Sequence, residues 1–338
     1  MDRVQADIQE IISNSELLFE FKGQTILVTG ATGLVGSMLV KTILAANQKY
    51  NLNINVIGQI RNHEKAKLVY GNHYHTVKFL TSPRIECDCI VHTVSPTTSK
   101  FFIEHPVETI KASIEGTLEI LEVAKENSAS IVYLSSMEQY GIPYECGQIM
   151  TEKTIGVIDH LNIRSSYSES KRLCECLCAS YAAEYGVDVK IARLSQIVGA
   201  GVLNTDNRMP VQFARAVVEE QDIILHTEGK SNSNFVYLTD AITGILLLLS
   251  RGQLGEAYNI CNDNETRCVY EIANLVATKV ANNKIHVKIE KSDNMGYAPE
   301  VTMYLDSTKL RALGWDAKVD MLEAYIRLVE YLKESHNG

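Results

Sequence analysis

Tyr167 and Lys171, in the segment Tyr167-Ser-Glu-Ser-Lys171, carry the functional groups best suited to acid–base chemistry. Residues four apart share one face of a helix, so the phenol and the ammonium would lie side by side. An ammonium near a phenol favours the phenolate and lowers the pKa of a tyrosine from about 10. Such a tyrosine can act as a general base near neutral pH. The same spacing also occurs on surface helices, so the surrounding elements decide between the two interpretations.

Three glycines form a second candidate site, in the segment Thr25-Ile-Leu-Val-Thr-Gly-Ala-Thr-Gly-Leu-Val-Gly36. Gly30 permits a tight turn from a strand into a helix, Gly33 lets backbone N–H groups approach a pyrophosphate, and Gly36 lets the helix pack closely on the sheet. The positive end of the helix dipole would face the phosphates. The turn predicts a dinucleotide site made of Gly30, Thr32, Gly33, Leu34, Val35 and Gly36.

The choice of dinucleotide depends on the end of the second predicted strand. NAD-binding versions of this turn carry an acid there, which binds the hydroxyls of the adenosine ribose. Here the strand ends Ile57-Gly-Gln-Ile-Arg61-Asn62, with no acid. Arg61 either binds a 2′-phosphate or is a solvated loop residue near the adenine. We therefore expect NAD, with NADP as the open alternative.

The elements around these sites alternate between strands and helices up to about residue 197. Strands are predicted over 24–29, 53–60, 75–80, 87–94, 130–135 and 187–194, and helices over 38–46, 106–126 and 167–185. Such alternation predicts an α/β protein with a Rossmann-type doubly wound parallel sheet. Ligands of such sheets bind at the carboxyl ends of the strands, where both candidate sites are expected.

Three parts of the chain are expected. Residues 1–22 form an N-terminal extension with an amphipathic helix over 2–18, and residues 23–197 form the dinucleotide-binding Rossmann domain. Residues 198–338 form a smaller, mainly substrate-binding α/β region, from which about 234–262 return to the Rossmann sheet. The elements predicted in this region are a strand over 223–226 and helices over 209–220, 235–249, 268–280 and 321–333.

Composition excludes several classes of protein. The 338 residues contain 32 Lys and Arg against 41 Asp and Glu, a net charge of −9, which argues against a nucleic-acid or anionic-membrane partner. No apolar stretch approaches the roughly 18 residues of a membrane span. The 8 cysteines lack C-x-x-C spacing, so we expect no metal site and a reducing, cytoplasmic location.

The series of motifs resembles the extended short-chain dehydrogenase/reductase family, the NAD-dependent epimerases and dehydratases of nucleotide sugars. The resemblance covers roughly residues 23–335. It rests on the glycine turn, Asp88-Cys-Ile-Val-His92, Gly116-Thr117, Ser135-Ser136 before Tyr140-Gly141, the Tyr167 and Lys171 pair, Arg193-Leu194, Gly199, Tyr237-Leu-Thr-Asp240, Tyr258-Asn259 and Leu313-Gly314-Trp315.

The resemblance implies a role for each catalytic candidate. Tyr167 would be the base, Lys171 would bind the nicotinamide ribose, and Ser136 would hydrogen-bond the reacting sugar hydroxyl. The first step would be oxidation of the sugar at carbon 4, with hydride passing to the nicotinamide. Tyr167, Lys171 and Val94 would also contact the cofactor. The family further implies a homodimer, formed through the helices predicted over 106–126 and 167–185.

The residues after Ser136 help to separate the reactions that a 4-ketone permits. The 4,6-dehydratases typically carry Asp-Glu there, and Met137 cannot protonate a departing hydroxyl. Glu138, together with Arg164-Ser-Ser-Tyr167-Ser-Glu-Ser-Lys171-Arg172, is similar to the UDP-glucuronate decarboxylases, although Glu138 could simply support the loop. We favour a decarboxylase or a 4-epimerase. The alternatives are a 4,6-dehydratase, a 4-reductase and a non-catalytic dinucleotide-binding regulatory protein.

Several substrate-binding positions depart from the family pattern. Gln196 and Ser113 replace asparagines, Val94-Ser95 replaces a pair of alanines, and Ser233 replaces an arginine that grips the diphosphate in the decarboxylases. Lys230 or Arg208 could compensate, although a lysine does not reproduce the bidentate fork of an arginine. The substrate, a nucleotide-diphosphate sugar, is expected to contact Ser95, Gln196, Arg208 and Lys230.

Overall fold

The computed structural model describes residues 2–14, 16–95, 99–292 and 300–336. Its strands are β1 (Thr25–Thr29), β2 (Asn55–Gln59), β3 (Lys78–Leu80), β4 (Cys89–His92), β5 (Ser130–Ser136), β6 (Ile149–Met150), β7 (Val189–Leu194), β8 (Gln196–Val198), β9 (Ile223–Leu225), β10 (Asn232–Tyr237), β11 (Ala257–Ile260), β12 (Asn262–Cys268), β13 (Val287–Ile289) and β14 (Tyr304–Leu305). Its helices are α1 (Arg3–Asn14), α2 (Leu34–Tyr50), α3 (His63–Tyr70), α4 (Ser99–Glu104), α5 (Pro106–Asn127), α6 (Ser165–Tyr185), α7 (Met209–Val218), α8 (Leu238–Arg251), α9 (Val269–Leu275), α10 (Thr308–Arg311) and α11 (Met321–His336).

A seven-stranded parallel sheet organises the chain, with the strand order β11-β7-β5-β4-β1-β2-β3. The order reverses between β1 and β4, so the connections leave in opposite directions on either side of that point. A crevice forms outside the carboxyl ends of these two strands. The predicted Rossmann-type doubly wound parallel sheet is confirmed.

Helices cover both faces of this sheet. On one face, α2 and α8 bury Ile43 and Leu246 in a core that also contains Val91 of β4. On the other face, α5 and α6 bury Leu121 and Cys178. Both faces of the central strands are therefore apolar, which is why these strands are nearly continuous hydrophobic runs in the sequence.

The region after β7 combines small sheets with helices α7 to α11. Strands β12, β10 and β8 form one sheet, β13 pairs with β9, and β14 pairs with β6. Helices α7, α9 and α11 contribute to a separate hydrophobic core. From the same stretch of chain, β11 joins the large sheet beside β7, and α8 packs on that sheet. A domain boundary at residue 198 remains a prediction.

Several predicted elements were wrong in type or extent. The helix predicted over 235–249 begins only at Leu238, because the aromatic and β-branched residues before it form β10. Helix α3 was missed, as was the 3₁₀ helix Gly71–Thr76 that follows it and takes up the first residues of the strand predicted over 75–80, which begins only at Lys78. The helix predicted over 2–18 ends at Asn14, and a 3₁₀ helix, Glu16–Phe21, follows it. The helix predicted over 268–280 is divided into α9 and a π-helical turn, Val276–Val280.

Helix α1 packs against α2, α8 and α11, and so contacts both halves of the chain. Its apolar side chains at Ile8, Ile11 and Ile12 are buried, as is the carboxylate of Asp7. Among the described residues, no helix is long and apolar enough to cross a membrane.

Candidate active site

Tyr167 and Lys171 lie buried in the first turns of α6, close to the end of β5. The Lys171 ammonium donates a hydrogen bond of 2.7 Å to the carbonyl oxygen of Leu134, and its Nζ lies 4.9 Å from the ring centre of Tyr133 and 5.8 Å from that of Tyr167. Burial lowers the pKa of Lys171 to about 8. Helix geometry therefore brings the predicted pair together.

The pKa of Tyr167 departs from the sequence prediction. Burial raises this pKa, and the negative charge of Glu138 raises it further, while a hydrogen bond with Ser136 lowers it. The expected lowering by Lys171 does not occur in this arrangement, because the ammonium is directed to the backbone of Leu134. The phenol is consequently protonated near neutral pH in the structure.

Ser136 ends β5 and begins a 3₁₀ turn, Met137–Tyr140. Its hydroxyl caps this turn by accepting the backbone N–H of Glu138 at 3.2 Å. The same side chain is hydrogen-bonded with Tyr167. A serine is well suited to this position because its hydroxyl can cap a helical turn and still contact a second group.

Glu138 projects from the same turn and is partly buried. Burial raises the pKa of its carboxyl group, whereas the charge of Arg164 and a hydrogen bond with Ser168 lower it. Since the charge of Glu138 also acts on the pKa of Tyr167, the two groups are electrostatically coupled. The site therefore holds two groups able to transfer protons, a phenol and a carboxyl.

Phe102 completes the surroundings of Tyr167. The two rings stack with centres 4.3 Å apart and planes 5° from parallel. The stack fixes the plane of the phenol and covers one of its faces. Neither Phe102 nor Ser168 was predicted from the sequence. Ser168, which directly follows Tyr167, was a visible candidate, whereas nothing in the sequence pairs Phe102 with Tyr167.

The glycine turn lies between β1 and α2, at the crevice. Gly30 has φ +65°, and a Cβ there would lie 2.5 Å from Thr93 Oγ1. A Cβ on Gly36 would lie 2.5 Å from the carbonyl oxygen of Gly30, so α2 can approach β1 this closely only with glycine. Gly33 caps α2 and is exposed. The turn thus presents bare backbone at a helix N-terminus, which suits a dinucleotide pyrophosphate.

The other residues predicted to contact the cofactor line the same edge of the sheet. Thr32, Leu34 and Val35 are partly buried within or just after the turn, and Val94 follows β4. The Val94 Cγ2 would lie 3.3 Å from a Cβ on Gly30. Arg61 is exposed two residues after β2, beyond Gln59, whose carbonyl oxygen accepts the backbone N–H of Ala31 at 3.1 Å.

The predicted substrate residues are less well assembled. Ser95 is partly buried, and its Oγ is a buried atom without a hydrogen-bond partner in the described part of the chain. Gln196 is exposed on β8. Arg208 forms a bidentate pair with Asp206, at 2.6 to 3.1 Å, and Lys230 forms an ion pair with Glu228. Both cations are thus engaged by carboxylates of their own segments.

Ser233, the position that departs from the decarboxylases, lies on β10 directly opposite Arg267 of β12. Directly opposed residues of antiparallel strands project on the same face, with Cβ atoms about 5 Å apart. The Arg267 Nε donates to Glu265 at 2.8 Å. An arginine side chain therefore leaves the neighbouring strand directly opposite Ser233, on the same face.

The described ranges, 2–14, 16–95, 99–292 and 300–336, contain no group of three or more His, Cys, Asp or Glu side chains that could hold a metal ion.

The model of the NAD dependent epimerase/dehydratase family matches residues 26–261, more than half of the chain. The chain belongs to the NAD-dependent epimerase/dehydratase family. The resemblance inferred from the motifs is therefore confirmed. The matched residues include the glycine turn, the Ser136 turn and α6.

Similar members of this epimerase/dehydratase family include curated decarboxylases. The chain is 28% identical over 317 residues to UDP-glucuronic acid decarboxylase 6 of Arabidopsis thaliana, covering 88% of this chain and 85% of that protein. It is 27% identical over 326 residues to UDP-glucuronic acid decarboxylase 1 of Danio rerio, covering 94% and 74%.

Solved structures of this family share the fold. The UDP-glucose 4-epimerase of Thermotoga maritima superposes with a TM-score of 0.74 at 18% identity, covering 92% of this chain and 99% of that one. The epimerase Mth375 of Methanothermobacter thermautotrophicus gives a TM-score of 0.77 at 19% identity, covering 97% and 96%.

Proposed function

We propose that this protein oxidises a nucleotide sugar at carbon 4, and that its substrate is a nucleotide uronic acid which it decarboxylates. The observation that carries the proposal is the convergence of Ser136, Glu138 and Tyr167 at the end of β5, with Lys171 one helical turn further along α6. The similarity to UDP-glucuronic acid decarboxylases over most of the chain supports the same reaction.

In the proposed mechanism, Tyr167 accepts the proton of the carbon 4 hydroxyl, which Ser136 orients by hydrogen bonding. When bound, an oxidised nicotinamide cofactor supplies the hydride acceptor and a positive charge that favours the phenolate. Lys171 would hold the ribose of that cofactor. The resulting 4-ketone lies next to carbon 5, so the carboxylate leaves as CO2 and its electron pair enters an enolate. Glu138, whose pKa is raised by burial, then protonates carbon 5. Return of the hydride to carbon 4, with Tyr167 giving its proton back to the carbon 4 oxygen, would complete the cycle and leave a product that has lost only CO2.

4-Epimerisation is the second candidate, and it shares the first step. Met137 supplies no proton. An epimerase needs no acid at this position, because it returns the hydride to the other face of the ketone. Dehydration is disfavoured for lack of an acid at Met137.

We propose that Arg267 takes the place of the arginine missing at Ser233 and binds the diphosphate of the substrate. Its position opposite Ser233 supports this role, since the two side chains share one face of the β10–β12 ladder. The contact with Glu265 uses only Nε, and the remaining guanidinium donors suit a bidentate phosphate contact. Gln196, Ser95, Lys230 and Arg208 remain proposed contacts of the nucleotide sugar.

Product analysis tests the proposed reaction. We expect incubation with UDP-glucuronate and NAD to give a product that has lost CO2, as measured by mass spectrometry. A product with the mass of the substrate would instead show 4-epimerisation, and loss of water would show dehydration. UDP-glucose, dTDP-glucose and related CDP- and GDP-sugars, tested in parallel, identify the nucleotide. Turnover of none of them, with cofactor still bound, would favour a non-catalytic dinucleotide-binding protein.

We propose NAD as the cofactor, with Arg61 beside its adenosine ribose. Arg61 is exposed at the edge of the sheet that carries the glycine turn. A guanidinium group at this position could also bind a 2′-phosphate, by donating hydrogen bonds to its oxygens. We therefore expect Arg61→Ala to weaken NADP binding by about tenfold, the effect of losing one charge-assisted contact, and to leave NAD binding unchanged. Calorimetric titration with both cofactors measures this difference. An unaltered NADP affinity would make Arg61 a solvated loop residue.

We also propose a homodimer formed through α5 and α6. The two helices pack side by side and expose Val107, Ile110, Leu118 and Leu173. Such an apolar surface suits contact with the same surface of a second copy of the chain.

We propose a reducing, cytoplasmic location as well. All eight cysteines are free, and five of them are buried, which supports a reducing compartment. A monomeric mass in light scattering would contradict the dimer, and recovery in an oxidising compartment would contradict the location.

A further inference from the structure

A buried carboxylate lies one helical turn beyond Lys171. Glu175 is on α6, and its Oε1 accepts a hydrogen bond of 2.5 Å from the hydroxyl of Ser135. Ser135 directly precedes Ser136, so this bond ties the end of β5 to α6. Neither residue is assigned a role in the reaction proposed above.

The same carboxylate is gripped by Arg193 of β7. The Arg193 Nε contacts both oxygens of Glu175 at 3.1 Å, and Nη2 contacts Oε2 at 2.6 Å. Both side chains are almost completely buried, with 11% of the arginine side chain and 9% of the glutamate side chain exposed. A bidentate pair of this kind fixes both groups in direction as well as in distance.

The Arg193 Nη1 reaches the far end of the Ser136 turn, and it also donates to the carbonyl oxygen of Glu152 at 2.9 Å. Nη1 donates to Tyr140 Oη at 2.9 Å, and the guanidinium lies 4.9 Å from the ring centre of Tyr140. The Tyr140 hydroxyl in turn donates to Asn259 Oδ1 of β11 at 2.7 Å. The turn that carries Ser136 and Glu138 is therefore held at its start by Glu175 and at its end by Arg193.

We propose that Glu175 is a positioning residue for the reaction: held by Arg193, its carboxylate fixes the turn that carries Ser136 and Glu138 relative to the helix that carries Lys171. This inference rests on the proposed function. An enzyme of this type must hold three separate groups around one sugar carbon, and a shift of about 1 Å in such a constellation can reduce turnover by roughly a hundredfold.

Glu175 also acts on the ionisation of Lys171. Burial lowers the pKa of Lys171, and the negative charge of Glu175 offsets part of that lowering. The other titratable groups around the ammonium are His92 of β4, Tyr133 of β5, and Tyr167, Cys174 and Cys178 of α6, while Arg193 of β7 faces Glu175. Removing the carboxylate leaves the positive charge of Arg193 uncompensated. We then expect the pKa of Lys171 to fall below about 8, so that its ammonium group loses a proton at a lower pH than in the wild-type protein.

The test compares Glu175→Gln with wild type. We expect kcat to fall by about tenfold to a hundredfold, KM to change by less than about threefold, and the alkaline limb of the pH–rate profile to move down by about one pH unit. Asp188→Asn is the matched control, because it removes a carboxylate from the Lys190 ion pair at the opposite end of β7. Its kcat and pH profile should match wild type.

Two further variants keep the test decisive. Glu175→Asp retains the charge and should recover the pH profile of wild type with part of its kcat. Glu175→Gln combined with Arg193→Met removes both charges, so the protein stays folded even if the single variant does not. That double variant should retain the loss of kcat with a smaller shift of the alkaline limb. A folded Glu175→Gln enzyme with the kcat and pH profile of wild type would overturn the proposal.

A readout without substrate separates this inference from the proposed function. The pKa of Lys171 can be followed by NMR of protein with isotope-labelled lysine, with Lys171→Met assigning the signal. A lower pKa in Glu175→Gln supports the coupling even if no nucleotide sugar is turned over, in which case only the proposed function fails. An unchanged pKa contradicts the coupling whatever the activity.

Discussion

Tyr167→Phe should reduce turnover of the nucleotide sugar by roughly 10² to 10⁴-fold, the usual contribution of a positioned acid or base. The substitution removes only the hydroxyl that is hydrogen-bonded with Ser136. The ring keeps its stack on Phe102, at 4.3 Å, and its place in the buried end of α6. Packing therefore persists while the proton acceptor is lost.

Cofactor binding should survive this change. The glycine turn lies on another element, and Lys171 is held by the carbonyl oxygen of Leu134 independently of the phenol. Steady-state kinetics and calorimetric titration with NAD separate the two effects. Tyr181→Phe is the matched control, since it removes a tyrosine hydroxyl from the same helix, where it contacts Glu122. A Tyr167→Phe enzyme with near-normal turnover would refute the assignment of the base.

The cofactor half of the chain was the more predictable from sequence. Glycine at Gly30 and Gly36 is dictated by backbone geometry, since a Cβ at either position would lie 2.5 Å from another atom. Such constraints leave a local sequence signal. The helical spacing of Tyr167 and Lys171 likewise fixes their shared face, whatever the rest of the fold.

The protonation states and the supporting contacts were not predictable in the same way. Whether Lys171 turns to the phenol or to the carbonyl oxygen of Leu134 depends on the approach of β5 to α6, which a local pattern does not specify. The stack of Phe102 on Tyr167 joins residues far apart in the chain. The strand nature of β10 was missed because its apolar run continues into α8, so periodicity could not divide them.

Helix α1 provides the second large effect, on stability. Asp7 is completely buried between α1, β10 and α11, where it lies 2.8 Å from Arg3 and 3.5 Å from Arg327 and accepts the hydroxyl of Tyr237 at 2.6 Å. Arg327 and Tyr237 belong to the C-terminal region, whereas α1 also packs on α2 and α8 of the Rossmann sheet. The Asp7 carboxylate therefore joins the N-terminal extension to the C-terminal region, while α1 as a whole contacts both halves of the chain.

Asp7→Ala should lower the free energy of unfolding by about 3 to 5 kcal/mol, because it leaves a buried guanidinium and a buried hydroxyl without their acceptor. The measurement is urea denaturation followed by circular dichroism. Glu10→Ala is the matched control: Glu10 pairs with the same Arg327 from the next turn of α1 but is partly exposed, so its loss should cost less than about 1 kcal/mol. Equal losses in the two variants would contradict a special role for Asp7.

The ionisation of Asp7 gives this prediction a pH dependence. Burial raises the pKa of Asp7 above 3.8. The hydrogen bond with Tyr237 and the charges of Arg3 and Arg327 lower this pKa, but by less than burial raises it. A carboxyl group with a raised pKa binds its proton more tightly in the folded state, so its contribution to stability falls as the pH rises from about 4 through the folded pKa. Asp7→Asn, which keeps a neutral acceptor for Tyr237, should therefore lose less stability than Asp7→Ala and should lack this part of the pH dependence. The contrary outcome is a wild-type stability that rises with pH over that interval, with the same curve for Asp7→Asn. That result would show that Asp7 does not titrate there.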